Sequence, residues 1–429
     1  MTEVRGPLFG LIVSGSSIDI GNGPTVETLS HAARYMRERP PSADVVVLET
    51  ADALAPFRDA IEALTADSND TNSQYEFYSL AAAMEHLDGG ADVRVALLWS
   101  DEGVADGREL VGMVPYRITY GYFGLPLPVW RVWHHLHSYI CTPLLKRGRE
   151  NQALQRFMSF ADHAGAAMIE FPMFEVSSAF DRALCEIESQ QRRQLVETER
   201  HERAFLKPEV TEDAYLATHI RKKKRKEFNR LWNRLLDLGE LRIAIHENVD
   251  VRYWTDRFLR LEASGWKGKR GTALKADTEQ SAYFEKICRG AAERGKLHCS
   301  ELTLDGKPLA MLTSFRASDG LYTFKIAFDE RYSRYSPGAL LMLKLIGEVQ
   351  RDERIVWADS CAIPNHPMID QIWAERREMR SVIVAGSSPF ARPAVQYAAW
   401  ALKTAEQIRA SLRKHYNAFR NEKKNEQLD

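Results

Sequence analysis

Between residues 321 and 349 the hydrophobic pattern changes period once, and sharply. From 321 to 328 apolar and aromatic residues run almost unbroken around Thr323 and Lys325, the pattern of a largely buried strand. A polar, tyrosine-rich stretch follows at 329–336. Pro337-Gly338 then opens an apolar run, 339–349, with the length of a helix. Proline suits a first helical turn, where its missing N–H would be unpaired anyway, and Gly338 lets another group approach the backbone closely. Free amides and the positive dipole end of such a helix attract phosphate. The segment reads as a strand, loop and helix that cradle an anion, although an ordinary strand-to-helix turn has the same pattern.

The rest of the chain alternates similar signals. A low-periodicity entry ends at Pro40-Pro41 and leads to a strand at 45–48, helices at 53–64 and 75–87, and a hairpin of 93–99 with 110–119 around 103–107. An aromatic stretch, 120–139, holds Trp130, Trp133, His134, His135 and His137. A helix (151–163), a strand (166–171), a helix (177–188) and a strand (194–205, broken by Pro208) come next. Thr211 is a plausible N-cap ahead of Glu212-Asp213. Phe228, Leu231, Trp232, Leu235 and Leu238 share one helical face that Gly239 stops. A strand (241–245), a helix (252–261), a loop (262–274) and a helix capped by Asp277 with Gln280 precede a hairpin turning at Asp305-Gly306. After the opening segment we expect a strand at 355–359, a helix at 368–377, a strand at 381–385 and an amphipathic helix at 393–419. One order of elements recurs around 75–205 and 211–385. We therefore expect three parts: 1–205, 206–390, and a C-terminal helix and tail, 391–429.

With 429 residues there is material for real cores, and a formal net charge of −1 gives no general pull toward nucleic acid. The five cysteines are scattered without CxxC spacing, which fits a reducing compartment and free thiols. No run reaches the ~18 apolar residues of a spanning helix, and the N-terminal apolar patch is too short for a signal peptide. A cytoplasmic location, peripheral to the inner membrane at most, is the expectation.

The second half resembles the GNAT-type acetyltransferase domain of the FemAB-like group, found in proteins of cellulose and exopolysaccharide biosynthesis. The matching pieces are the basic helix start Arg221-Lys222-Lys223-Lys224-Arg225-Lys226, then Glu262 with Gly265-Trp266-Lys267-Gly268 and Gly271-Thr272-Ala273-Leu274. They continue through the 301–316 hairpin and Tyr335-Ser336-Pro337-Gly338 to Asp359. The resemblance spans about 205–385 and implies an α/β (α+β) fold of tandem GNAT-like halves. Each half would be a mixed, mostly antiparallel sheet flanked by helices, the first degenerate and the second binding acyl-coenzyme A. Departures are visible. A Q/RxxGxG/A signature is lacking, Ser360-Cys361-Ala362 stands where the group often has a glycine and a Tyr-Lys pair, and no long helical hairpin is evident.

Acyl transfer to an amine needs a bound thioester, a deprotonated amine and a donor for the developing oxyanion. The resemblance implies that backbone amides of 321–328 polarise the thioester, and that Lys325, Ser336, Pro337, Gly338 and Ala339 bind the cofactor. Asp359 is the candidate base or acceptor-binding carboxylate, though a strand-end Asp is as often a cap. Tyr332 and Tyr335 are candidate proton donors to the thiolate. Trp266, Lys267 and Glu262 are candidate acceptor contacts, the indole stacking on a sugar face. The histidine spacing, without a nearby Cys or acid pair, makes a poor metal site; no metal is expected.

The expected activity is N-acyl transfer, acetyl above all, from acetyl-coenzyme A to an amino sugar or amine of a surface-polysaccharide precursor. Partners would be an amine-bearing sugar or glycolipid precursor and polysaccharide-synthesis proteins, not nucleic acid. Rival readings are tRNA-dependent aminoacyl transfer of the FemAB type, which would need salt-dependent RNA binding, and a non-catalytic module that senses a nucleotide.

Overall fold

The computed structural model describes residues 44–87, 89–100, 108–207, 210–246 and 249–425. The entry segment before 44, the turn expected at 103–107 and the breaker Pro208 lie outside them. The strands are β1 (Val45–Leu48), β2 (Arg94–Ser100), β3 (Glu109–Tyr122), β4 (Leu125–Val132), β5 (Leu144–Leu145), β6 (Met168–Glu175), β7 (Leu195–Leu206), β8 (Leu241–His246), β9 (Leu297–Leu304), β10 (Lys307–Ala317), β11 (Gly320–Phe328), β12 (Trp357–Asp359) and β13 (Glu375–Ala385). The helices are α1 (Arg58–Ala66), α2 (Phe77–His86), α3 (Glu150–His163), α4 (Ala179–Gln191), α5 (Glu212–His219), α6 (Lys222–Leu236), α7 (Val251–Ser264), α8 (Trp266–Lys269), α9 (Thr278–Glu293), α10 (Pro337–Arg351) and α11 (Ala391–Asn425). A two-turn 3-10 helix covers Glu330–Tyr335.

One continuous sheet joins both halves in the order β1-β2-β3-β4-β6-β13-β7-β12-β11-β10-β9-β8. Its neighbours are antiparallel except at two places: β4 runs parallel to β6, and β11 parallel to β12. The fold is thus a mixed α/β fold with a mostly antiparallel sheet flanked by helices. The halves exchange their last strands. β7, from the first half, pairs with β12 of the second, and β13 returns to pair with β6 of the first. At the centre β7 and β13 pair with each other from Glu375↔Phe205 to Val384↔Leu195.

That pairing overturns the helix expected at 368–377. A single 3-10 turn at Ile369–Gln371 stands there, and β13 begins at Glu375. Its charges find opposites across the sheet, Arg200 to Glu378 at 2.6 Å and Arg377 to Glu175 at 2.6 Å. Cross-strand ion pairs of this kind favour the strand over local helix propensity. Elsewhere the short-range signals hold. Asp305 (φ 49°) and Gly306 (φ 73°) form the tight turn of the β9–β10 hairpin. Thr211 caps α5 by accepting from the Ala214 amide, and Asp277 caps α9. The cores lie on both faces of the sheet, and α2 packs on α9 across the junction of the halves.

Candidate active site

The second half places β11, the 330–335 turn and α10 in series. β10 pairs with β11 as Thr313↔Lys325 and then Ser314↔Thr323, so Phe324 is the extra residue of a β-bulge. On its other edge β11 is matched to β12 only at Gly320, Leu321 and Tyr322. Beyond Tyr322 the two parallel strands part, and the Thr323 hydroxyl closes the fork by donating to the carbonyls of Asp359 (3.1 Å) and Ser360 (2.7 Å). Residues 325–328 stay paired with β10, so the bulge sets Phe324 alone out of that ladder, while on the opposite edge β12 follows β11 no further than Tyr322.

Asp359 sits at the base of the fork, fully buried. Its carboxylate accepts from Arg203 (2.6 Å), Arg377 (2.8 Å) and the Cys361 amide (2.8 Å). Burial opposes its charge, but Arg203 and Arg377 prevail and hold it below the ordinary carboxylate range. A carboxylate so occupied is a poor proton acceptor, so the expectation of Asp359 as base is corrected. What it does is structural: it anchors Cys361 in the left-handed region (φ 50°), where the chain turns away from β11. Burial raises the Cys361 thiol well above its usual range, so it is no ready nucleophile.

About 20 Å along β11, by strand rise, the chain reaches the turn into α10. Ser336 stands at its N-cap with φ 52° and ψ 52°, half-buried, its hydroxyl making no capping bond. Its carbonyl accepts from the Leu340 amide at 3.1 Å, which leaves Gly338 and Ala339 too early in the helix for an intrahelical partner. Pro337, Gly338 and Ala339 are buried. A Cβ on Gly338 would lie 3.6 Å from Ile326 Cδ1 and 3.6 Å from Phe328 Cδ1, and 4.0 Å from Met368 Sδ. The glycine therefore faces an apolar wall, and half-buried Ser336 is the exposed side of the corner. This corrects the expectation that Gly338 itself gives an anion close access.

Tyr335 is buried in the core with the Arg334 guanidinium over its ring (4.8 Å), not an exposed loop aromatic; Tyr332 is half-buried, its ring 6.3 Å from that of Tyr335. Glu262 is buried and accepts from the Leu274 amide at 2.9 Å, so it ties down its loop. The stretch expected as loop there is helical in part, α7 continuing to Ser264 and α8 following. The side chains of Trp266 and Lys267 lie outside what the structure describes. Their neighbour Gly265 faces Glu330, and Lys269 pairs with Glu330 at 3.5 Å, which brings this segment beside the 330–335 turn.

One feature sequence reasoning missed is what the first half contributes. Lys325 Nζ donates to His137 Nδ1 at 3.2 Å. The His137 ring stacks on Tyr283 (5.5 Å, 10°) and meets Phe324 edge-on at 6.0 Å. Burial lowers His135, which touches the same ring of Tyr283, to about 3. The aromatic density of 120–139 was the available signal, but no spacing in it pointed to β11.

Residues 222–359, from the first residue of α6 to the last of β12, match the acetyltransferase (GNAT) domain family. That stretch of the second half is similar to an acetyltransferase-type domain. The match spans about a third of the chain. No curated protein matches the sequence. Among solved structures, FemX is 11% identical (TM-score 0.48, covering 75% of this chain and 95% of its own). L-PGS from Bacillus licheniformis is 11% identical (0.48; 79% and 95%), and a tandem GNAT protein from the clavulanic acid pathway 13% identical (0.40; 81% and 99%). Among the described residues no helix is long and apolar enough to cross a membrane.

Proposed function

We propose that the protein transfers an acyl group, acetyl above all, from a coenzyme A thioester to an amine. The observation that carries this reading is the fork of β11 and β12 with a bulge at Phe324, in line with the N-terminus of α10. The pyrophosphate would lie against Ser336 and the first amides of α10, and the pantetheine arm along β11 toward the fork. Amides of the bulge would polarise the thioester carbonyl. The amine nitrogen attacks that carbon, the C–N bond forms and the C–S bond breaks. The coenzyme A thiolate leaves, and the ammonium proton passes to a base.

Lys325 and His137 are the groups we place beside the reacting carbon, with Lys325 holding an anionic part of the acceptor. The acceptor would enter between α8 and the 133–141 segment, and an amino sugar of a lipid- or nucleotide-linked polysaccharide precursor is the class we favour. Thermal shift of the full chain tests the donor: acetyl-coenzyme A should raise the melting temperature and charged tRNA should not. A shift with charged tRNA alone, or with a nucleotide second messenger alone, would overturn the reading.

A further inference from the structure

β11 turns different faces toward α10 and toward the first half of the chain. Ile326 and Phe328 face Gly338 at the start of α10. Lys325 stands opposite Thr313, and residues paired across antiparallel strands share a face. Thr313 accepts from Trp254 Nε1 of α7 at 2.9 Å, so Lys325 lies on the α7 side of the sheet. The bulge brings Phe324 to that side as well. Its ring meets Phe284 of α9, Tyr139 and His137 at 6.3, 6.3 and 6.0 Å. A thioester held in the fork would therefore have α10 on one side and His137 on the other.

The imidazole of His137 is held in a fixed orientation. It stacks on Tyr283, and the His137 amide donates to His135 Nδ1 at 3.2 Å. Between the two buried histidines Leu136 is 66% exposed, so this segment reaches solvent beside the site. A lysine ammonium only donates, so the His137 Nδ1 that meets Lys325 at 3.2 Å is the proton-free nitrogen. His135 and Tyr283, which also touch this ring, are neutral near pH 7 because burial lowers the first and raises the second. The charge that meets the imidazole from these neighbours is that of Lys325. A lone pair aimed this way has the chemistry of a general base, and the ammonium covering it is the group an acceptor anion attracts.

We propose that His137 Nδ1 is the base of the acyl transfer, covered by Lys325 until an anionic group of the acceptor draws the ammonium away. This inference rests on the transferase reading and gives the first half a catalytic residue. The amine nitrogen attacks the thioester carbon, and His137 takes one proton from that nitrogen as the C–S bond breaks. The coenzyme A thiolate leaves, the imidazolium returns its proton to water, and Lys325 stays charged throughout. Thiol release from acetyl-coenzyme A by the full chain, with glucosamine 1-phosphate or glucosamine as the amine, tests both parts. The parent should turn over the phosphorylated amine with the higher kcat. His137→Gln should lower kcat about a hundredfold or more and leave KM within a few-fold. His137→Ala should regain activity when imidazole is added, which a merely structural ring would not allow. Lys325→Gln should erase the kcat advantage of the phosphorylated amine and raise its KM. All three variants should keep the thermal shift with acetyl-coenzyme A. A parent that lacks this shift sinks the transferase reading itself. With the shift present in the parent, turnover by His137→Gln at the parent's rate overturns this proposal alone. So would loss of the shift in either His137 variant, no rescue by imidazole, equal kcat for the two amines, or no thiol release with either.

Discussion

Ser336→Asp isolates the anion cradle from the fold that carries it. Ser336 adopts φ 52° and ψ 52° at the N-cap of α10, and its hydroxyl caps nothing. Aspartate tolerates the left-handed region better than most residues. A carboxylate at this end of the helix is favourable by about 0.3–1 kcal/mol, so the variant should fold at least as well as the parent. Binding should respond in the opposite direction. A pyrophosphate oxygen about 5 Å from the new carboxylate meets a repulsion of roughly 3 kcal/mol at an effective dielectric of about 20. That corresponds to an affinity roughly a hundredfold lower. Titration calorimetry with acetyl-coenzyme A reads it directly, and the gap to the parent should narrow at high salt. Ser336→Asn, uncharged and of the same shape, is the control and should bind within a few-fold of the parent. A Ser336→Asp protein that binds acetyl-coenzyme A like the parent would refute the placement of the pyrophosphate at this corner.

Three further outcomes follow from contacts already described. Gly338→Ala should change stability by less than about 1 kcal/mol, because its methyl meets ordinary van der Waals contacts at 3.6 Å. Gly338→Asp should instead cost about 2 kcal/mol or more, since the carboxylate would enter the wall of Ile326, Phe328 and Met368; urea unfolding distinguishes the pair. Asp359→Asn should cost about 3–5 kcal/mol by leaving two buried arginines without their anion. The pKa of Asp359 is depressed in the folded state, so its contribution is present above about pH 4 and lost as pH falls below it. The gap between variant and parent should therefore close in acid. His135 is kept neutral to about pH 3 when folded but protonates near 6.5 when unfolded. It should subtract about 1.4 kcal/mol of stability per pH unit as pH falls from 6.5 toward 3. His135→Asn should flatten that slope in denaturant titrations at successive pH values; an unchanged slope would remove His135 as its source.

The sequence by itself determined whatever depends on a few neighbouring residues. Thr211 and Asp277 cap helices because a side-chain oxygen reaches amides two or three positions on. Asp305-Gly306 turns a hairpin because both residues accept positive φ. The strand, turn and Pro-Gly helix start at 321–349 stand where the pattern puts them, and the resemblance over 205–385 contains the matched stretch 222–359. Tertiary structure alone decided the rest. Residues 375–377 became strand because β7, some 170 positions away, offers a pairing edge, while Glu175 of β6 and Asp359 of β12 offer Arg377 opposite charges. Asp359 became an anchor because Arg203 and Arg377 arrive on those exchanged strands. Lys325 gained His137 from the other half, and Gly338 turned toward Ile326 and Phe328. In each case the deciding partner is distant in sequence, and the strength of a contact at such separation is set by how the sheet closes, which no local pattern records.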